Sequence, residues 1–510
     1  MVHVVVIGSG AGGAATAARL AHAGHRVTVL EKNAFTGGRC SLIERGGFRF
    51  DQGASLYLMP EVFEETFAAV GERIDEHIAL KRCMPNYDVL FADGARVRLS
   101  SDVAELEREV AAAEARARER EAEALAGKRG AVPRAMPGVA GLHAYLAEAR
   151  THYRLSFDFA LSRNYETWYE FAQPWHLVLA LKLHVLDTVW RRACKFFGTE
   201  ELRRAFSFQT MYMGMSPYDA PATYSLLQHA EIAGGIWYPV GGFHRVVDRL
   251  LHVASQRGAT VRTNAEVARI DIDEAAGLAK GVVLADGTRI ECDAVVCNAD
   301  LVWAYTHLFP DSCVPPPMPT DETPARPIPR HIRRLDALRQ TCSTISFYWG
   351  MRRQITELAH AHTIFLSDDY AESFDRIFDG LSLPGDPSFY VHVPSRLDPT
   401  AAPAGKDTVT ILVPVGHMRH ADMPGEDQDY EAMQRRAREW VISEMERRLH
   451  IVGLADLIEV EQVNNPMTWR NAFNLYKGSA LGLSHDIWQV LYMRPSTRHA
   501  AYGNVFFVGE

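Results

Sequence analysis

The sequence lacks the features of several broad classes of protein. It carries no excess of positive charge, since 54 Lys and Arg against 63 Asp and Glu leave a formal net charge of −9. A nucleic-acid partner needs a dominant basic field to meet its phosphates and is not expected. Cysteine is scarce, seven in 510 residues. No CxxC pair occurs, and no Cys/His spacing suits zinc, so reduced thiols in an intracellular protein without a metal are expected. No run approaches the roughly 18 apolar residues of a membrane-spanning helix. The nearest, WHLVLALKLHVL from Trp175 to Leu186, is interrupted by His176, Lys182 and His184. It predicts a helix that is either buried or lying on the surface. The opening MVHVVVIG has no basic start and runs straight into glycines, so no signal peptide is expected. No internal repeat of about 20–50 residues is evident.

What remains is a long, well-mixed chain. With 47% hydrophobic residues in 510, it can bury a core larger than one domain usually holds. Strand-like runs recur far apart: VHVVVIG, HRVTVLEKN, TVRTNAEVARIDID, CDAVVCN and NVFFVG. This spacing predicts a discontinuous α/β domain over 1–90, 231–310 and 460–510. A second, mixed domain over 91–230 and 311–459 interrupts it. Glu105–Glu121, alanine-rich with both charge signs, predicts a solvated helix within a surface insertion at 105–140. The proline-rich stretch 314–329 predicts an exposed loop.

The amino-terminal stretch VVVIGSGAGGAATAARLAHAGHRVTVLEKN contains each part of a dinucleotide site in order. A buried strand, Val4–Ile7, leads to Gly8, Gly10 and Gly13 at the GxGxxG positions. The first glycine allows the tight turn, the second a close approach of backbone to pyrophosphate, and the third close packing of helix on strand. The following helix presents its amides and positive dipole end to the phosphates. A second strand ends at Glu31, placed to accept hydrogen bonds from ribose hydroxyls, with Lys32 beside it. Beyond it, Gly37, Gly38 and Arg39 offer backbone contact and a charge to offset the pyrophosphate.

These residues resemble the extended fingerprint of FAD-dependent oxidoreductases of the amine oxidase and carotenoid desaturase group. Longer stretches make the resemblance specific to fungal-type phytoene desaturases: FTGGRCSLIERGGFRFDQGASLYLMPEVFEETF, GIWYPVGGFHRVVDRLLHVASQRGATVRTNAEVARI, VVCNADLVWAY and FNLYKGSALGLSHDIWQVLYMRPS. The resemblance implies a Rossmann-like FAD-binding domain interleaved with a substrate domain, noncovalent FAD, and desaturation of a carotenoid precursor such as phytoene. It implies that Val267 meets the adenine through its backbone, that Tyr238–Gly242 lies beside the flavin, and that Phe473–Ser496 lies near the substrate channel. Gly509 and Glu510, closing the last strand, complete the expected cofactor contacts. Asp51 and His485 receive no firm role.

A long hydrocarbon substrate implies an apolar tunnel, and the aromatic stretch FDFALSRNYETWYEFAQPWHLVLALKL is a candidate lining, or else ordinary core. Such a substrate also implies peripheral contact with a membrane, with Trp175–Leu186 and the following Arg191 and Arg192 as candidate surface. The electron acceptor is left unassigned. Alternatives on the same architecture are an amine oxidase, a retinol saturase-like enzyme, or a non-catalytic lipid carrier. In the flavoproteins resembled, the last strand leads into a turn and a helix facing the flavin. The end at Glu510 therefore suggests a truncated form with impaired flavin retention.

Overall fold

In the computed structural model, which describes residues 1–125, 136–165, 167–310, 334–421 and 423–509, segments distant in sequence meet in one parallel sheet. Strand β1 (His3–Ile7) is followed by helix α1 (Ala11–His22) and strand β2 (Arg26–Leu30). The sheet order is Val505–Phe507, Ala294–Cys297, β1, β2 and Thr260–Arg262, with every neighbouring pair parallel. Both faces are covered, which is why these strands read as unbroken β-branched runs. Val4 and Val6 pack on the side of α1, where Ala14, Ala17, Ala18 and Ala21 let the helix approach closely. Val5 and Ile7 face the opposite way, onto Val267, Ile270, Val282 and Leu284 of a three-stranded antiparallel sheet.

The second large sheet has seven strands in the order Ile458–Asn464, Ser343–Met351, Asp407–Val415, Phe389–His392, His362–Phe365, Tyr87–Leu90 and Arg96–Leu99. Only the pair His362–Phe365 and Tyr87–Leu90 is parallel. Tyr87–Leu90 and Ile458–Asn464 come from segments expected in the nucleotide domain, yet they pair here. The helix Tyr430–Leu449 closes one face, burying Met433, Ala437, Val441 and Met445 against Phe347, Trp349 and Val409.

Two expectations about the interruption need correction. Helix Val103–Leu125 is not simply solvated, because its charge-rich surface has an apolar stripe, Leu106, Val110 and Ala113, that is fully buried. The spacing of four and three residues places all of them on one face. The aromatic stretch from 157 to 183 is not core either, since no described residue in it is fully buried. Trp168, Tyr169, Leu177, Leu181 and Leu186 are all more than half exposed. The short helices Trp168–Phe171 and Pro174–Lys182 thus form an apolar surface. The segment 488–494 adjoins it, Tyr492 stacking on Phe171 at 6.0 Å and Arg494 bonding Asn164 at 2.6 Å. No described helix is long and apolar enough to cross a membrane. The proline-rich stretch 314–329 and residues 126–135 of the expected insertion lie outside the described residues.

Candidate functional site

The turn between β1 and α1 is built as its glycines require. Gly8 adopts φ of +92°, a conformation that a side chain would strain. A Cβ on Gly13 would lie 2.1 Å from the Gly8 carbonyl, so only glycine lets the first turn of α1 sit so close to the strand. Asn298, just past the strand Ala294–Cys297, fills the space above this turn. Its amide nitrogen donates to the Ile7 carbonyl at 2.8 Å, and its Nδ2 donates to the Val508 carbonyl at 2.9 Å. One residue, through its backbone amide on one side and its side chain on the other, thus ties β1 to the chain leaving the last strand.

Glu31 is buried and fully engaged. Its Oε2 accepts from the Ser9 amide at 3.0 Å and the Ser9 hydroxyl at 2.7 Å, and its Oε1 accepts from the amide and the side chain of Asn33, each at 3.0 Å. The carboxylate therefore holds the glycine turn to the end of β2. Lys32 donates to the Asn471 carbonyl at 2.8 Å and to Asn474 at 2.6 Å. Burial lowers its pKa against the opposing pull of Glu266 and Glu31.

These residues border a polar cavity of about 120 Å³, lined by Gly8, Gly10, Glu31, Lys32, Gly38, Arg39, Val267 and Asp300 among others. A larger cavity of about 630 Å³ adjoins it, lined by Leu56, Leu58, Phe208, Met211, Tyr212, Tyr370, Phe374, Ile377, Phe389, Tyr390, Leu412 and Trp469, with Gly12 and Gly509 at one end. Arg39 and Asn298 line both cavities and so stand between them. Arg39 is oriented there by a 2.7 Å bond from Nη1 to the Ala480 carbonyl.

Of the residues singled out in the sequence, Gly8, Gly10, Glu31, Lys32, Gly38, Arg39 and Val267 line the smaller cavity, and Gly509 lines the larger. Gly13 packs behind the turn, and Glu510 lies outside the described residues. Phe473–Ser496 contributes to both cavities, through Phe473, Asn474 and Gly482 on one side and Ala480 and Leu481 on the other. Tyr238–Gly242 lines neither. Its turn is held by Asp51, which accepts from the Tyr238 hydroxyl at 2.8 Å and the Phe243 amide at 2.7 Å. Asp51 is thus a turn cap, and its burial pushes its carboxyl up to about 6. His485 lines neither cavity, and the stretch 157–183 contributes nothing to the larger one. Asn298 had not been singled out. Its one local signal was its place at the end of a β-branched run.

The two cavities suit a ligand with a charged, nucleotide-like part at the helix end and an aromatic part reaching towards an apolar chamber. A Cβ at Gly10 or Gly509 would come within 2.8 or 2.6 Å of the Asn298 side chain, so Asn298 keeps its place only with glycine there.

Residues 11–510 match the family model "Flavin containing amine oxidoreductase". The chain is 46% identical to a phytoene desaturase of Phycomyces blakesleeanus, over 99% of this chain and 81% of that one. It is 38% identical to a zeta-carotene-forming phytoene desaturase of Myxococcus xanthus, over 99% and 89%. Among solved structures it resembles an oxidoreductase from Methanosarcina mazei with a TM-score of 0.57 at 14% identity, covering 99% of this chain and 94% of the other. At that identity the likeness concerns the fold. These matches do not bear out the expectation of a missing carboxyl-terminal segment.

Proposed function

The chain belongs to the flavin-containing amine oxidoreductase family, alongside its phytoene desaturases, and on that premise we propose that it is an FAD-dependent desaturase acting on phytoene in carotenoid biosynthesis. The observation that carries this reading is the junction of a polar nucleotide cavity with an apolar chamber about five times its size. Amine substrates need a polar or anionic anchor. The larger chamber is walled mainly by aliphatic and aromatic side chains, as a hydrocarbon requires.

The domain division proposed is 1–90, 231–310 and 460–510 for the cofactor and the remainder for the substrate, except that Tyr87–Leu90 and Ile458–Asn464 pair into the seven-stranded sheet. Gly8, Gly10, Glu31 and Lys32 hold the adenosine and pyrophosphate, with Val267 at the adenine. Gly38, Arg39 and Gly509 follow the cofactor towards the chamber. Support for these roles is their convergence on the two adjoining cavities. Bound FAD supplies the hydride acceptor that desaturation requires. The protein's own residues do the rest: the apolar wall strips water from the substrate and aligns one saturated bond, so that positioning supplies much of the rate.

The substrate is insoluble in water, and the apolar surface of 161–186 and 488–493 is the proposed place of contact with a bilayer. Its support is exposure: Leu186 is 82% and Trp488 71% exposed. Aromatic and leucine side chains on short helices lying flat suit the interface rather than the membrane interior. The experiment that tests the function is incubation of the purified protein with FAD and phytoene in liposomes, with products identified by absorption and mass. More conjugated carotenes are expected, and unchanged phytoene beside oxidised amines would overturn the reading.

A further inference from the structure

Desaturation releases a proton as well as a hydride, and the walls of the chamber hold few groups able to take one. Two buried polar networks reach it. In the first, Tyr390 on the chamber wall bonds Ser55 at 2.9 Å and His362 Nδ1 at 2.7 Å, and His392 stacks on His362 at 4.8 Å. In the second, Tyr212 on the wall stands beside Tyr87, whose hydroxyl lies 2.5 Å from Glu231 Oε2. Gln209 donates to the Tyr87 hydroxyl at 2.9 Å, and Gln228 donates to Glu231 Oε2 at 3.3 Å.

Both networks hold buried atoms without a hydrogen-bond partner among the described residues: His362 Nε2 and both ring nitrogens of His392 in the first, and four oxygens in the second. The Tyr212 hydroxyl, Gln209 Oε1, Gln228 Oε1 and Glu231 Oε1 are all buried and meet no hydrogen-bond partner in ordinary geometry among the described residues. Four such oxygens around one tyrosine are costly unless they serve a bridging water or a functional step. Glu231 sits in a single π-turn, Ala230–Gly234, the irregularity by which a helix re-aims one side chain. Its facing titratable groups are Tyr87 from the strand Tyr87–Leu90, Tyr145 from the helix Gly138–Ser156 and Tyr212 from the turn Phe208–Met213, and no cation stands among them.

Burial decides between the networks. A proton on His362 would create a buried charge, and its ring is accordingly held down to about 3. A proton on ionised Glu231 removes a buried charge, and its carboxyl is pushed up to about 8.

We propose that Glu231, acting through Tyr87 and the wall residue Tyr212, is the acceptor of the proton that desaturation releases. This rests on the desaturase reading above. As hydride leaves one carbon for the bound flavin, the electron pair of the neighbouring C–H bond becomes the new double bond and its proton passes to the Tyr212 oxygen, which lies buried behind the ring that lines the chamber and must turn towards it to accept. The Tyr212 proton moves, directly or through a water, to Tyr87, and the Tyr87 proton moves to Glu231, which ends as a neutral acid.

The test uses the holoenzyme with phytoene in vesicles. Wild-type kcat is expected to rise with pH through an ionisation near 8. Glu231→Gln keeps an acceptor for the Tyr87 hydroxyl and is expected to retain its fold and FAD affinity. Its kcat is expected to fall by roughly 100-fold or more with the ionisation gone, and Glu231→Asp is expected to recover part of the rate. His362→Asn is expected to keep the pH dependence. Without substrate, infrared spectra of the wild type are expected to show a protonated carboxyl that titrates near pH 8 and is missing from Glu231→Gln. Wild-type kcat in Glu231→Gln, or no such carboxyl, overturns the proposal. Should Glu231→Gln fail to fold, Tyr212→Phe carries the same expectation, and a wild-type rate there overturns it. Failure of the wild type itself to convert phytoene overturns the desaturase reading and this proposal with it.

Discussion

Glu31 accepts hydrogen bonds from both the amide and the hydroxyl of Ser9, at 3.0 and 2.7 Å. The carboxylate at the end of β2 is therefore a strut of the glycine turn as well as a candidate partner for ribose. Glu31→Ala is expected to weaken flavin binding by roughly 1.5–3 kcal/mol, about 10- to 150-fold in Kd. Because four donors lose their acceptor, the melting temperature of the apoprotein should fall too. Fluorescence titration with FAD and thermal melts without it measure the two effects separately.

Asn298→Ala removes the bond to Val508 that joins the outer strand to the turn. A neutral hydrogen bond of this kind is worth about 0.5–1.5 kcal/mol, so the apoprotein should remain folded. Flavin occupancy after gel filtration is expected to drop, since Asn298 stands where the two cavities meet. Unchanged occupancy would remove Asn298 from the site.

Glu231 gives a pH signature in stability. Its folded pKa lies near 8, above the ordinary value of 4.5. Between these limits the unfolded chain has released the proton that the folded one keeps, so this group's contribution falls as pH rises from about 4.5 to 8. Glu231→Gln should flatten that part of the profile. Melting temperatures of both proteins from pH 5 to 9 test this, and parallel profiles would refute it.

Leu177 and Leu181 are each 69% exposed on the helix Pro174–Lys182. Replacing both with glutamate should leave the melting temperature within a degree or two, since no core packing is lost. Inserting a leucine into the interface is worth about 1.5–3 kcal/mol. Liposome binding is therefore expected to fall by at least tenfold, and conversion of vesicle-borne phytoene with it. Equal co-sedimentation of variant and wild type would move the contact elsewhere.

The parts of the site that were legible in sequence are the local ones. Gly8, Gly10, Gly13 and Glu31 announce themselves because strand, turn, helix and acid follow one another within 30 residues. Arg39 is read from the short extension with Gly37 and Gly38, Val267 from a longer matched stretch, and both line the smaller cavity. Asn298 stayed hidden because what it does depends on Ile7 and Val508, far away in the chain. Tyr238–Gly242 lines neither cavity. A glycine turn looks alike whether it faces a ligand or, as here, an aspartate cap. The aromatic stretch 157–183 defeated composition altogether, because a stripe of tryptophan and leucine is equally suited to a core, a tunnel or an exposed face. Only the elements packed around it decide which.

The order of strands in the parallel sheet has a consequence for how the protein is made. β1 and β2 leave the ribosome first, but their outer neighbours, Ala294–Cys297 and Thr260–Arg262, follow only after more than 200 further residues. At roughly 5–20 residues per second, the first strands wait on the order of 10–50 seconds with both edges unpaired. Val505–Phe507 arrives later still. The nascent βαβ unit is thus an exposed, β-branched edge while more than 200 residues are added, the kind of surface that holding chaperones shield. Slow codons or scarce chaperone should reduce soluble yield through this half of the molecule before they affect the other.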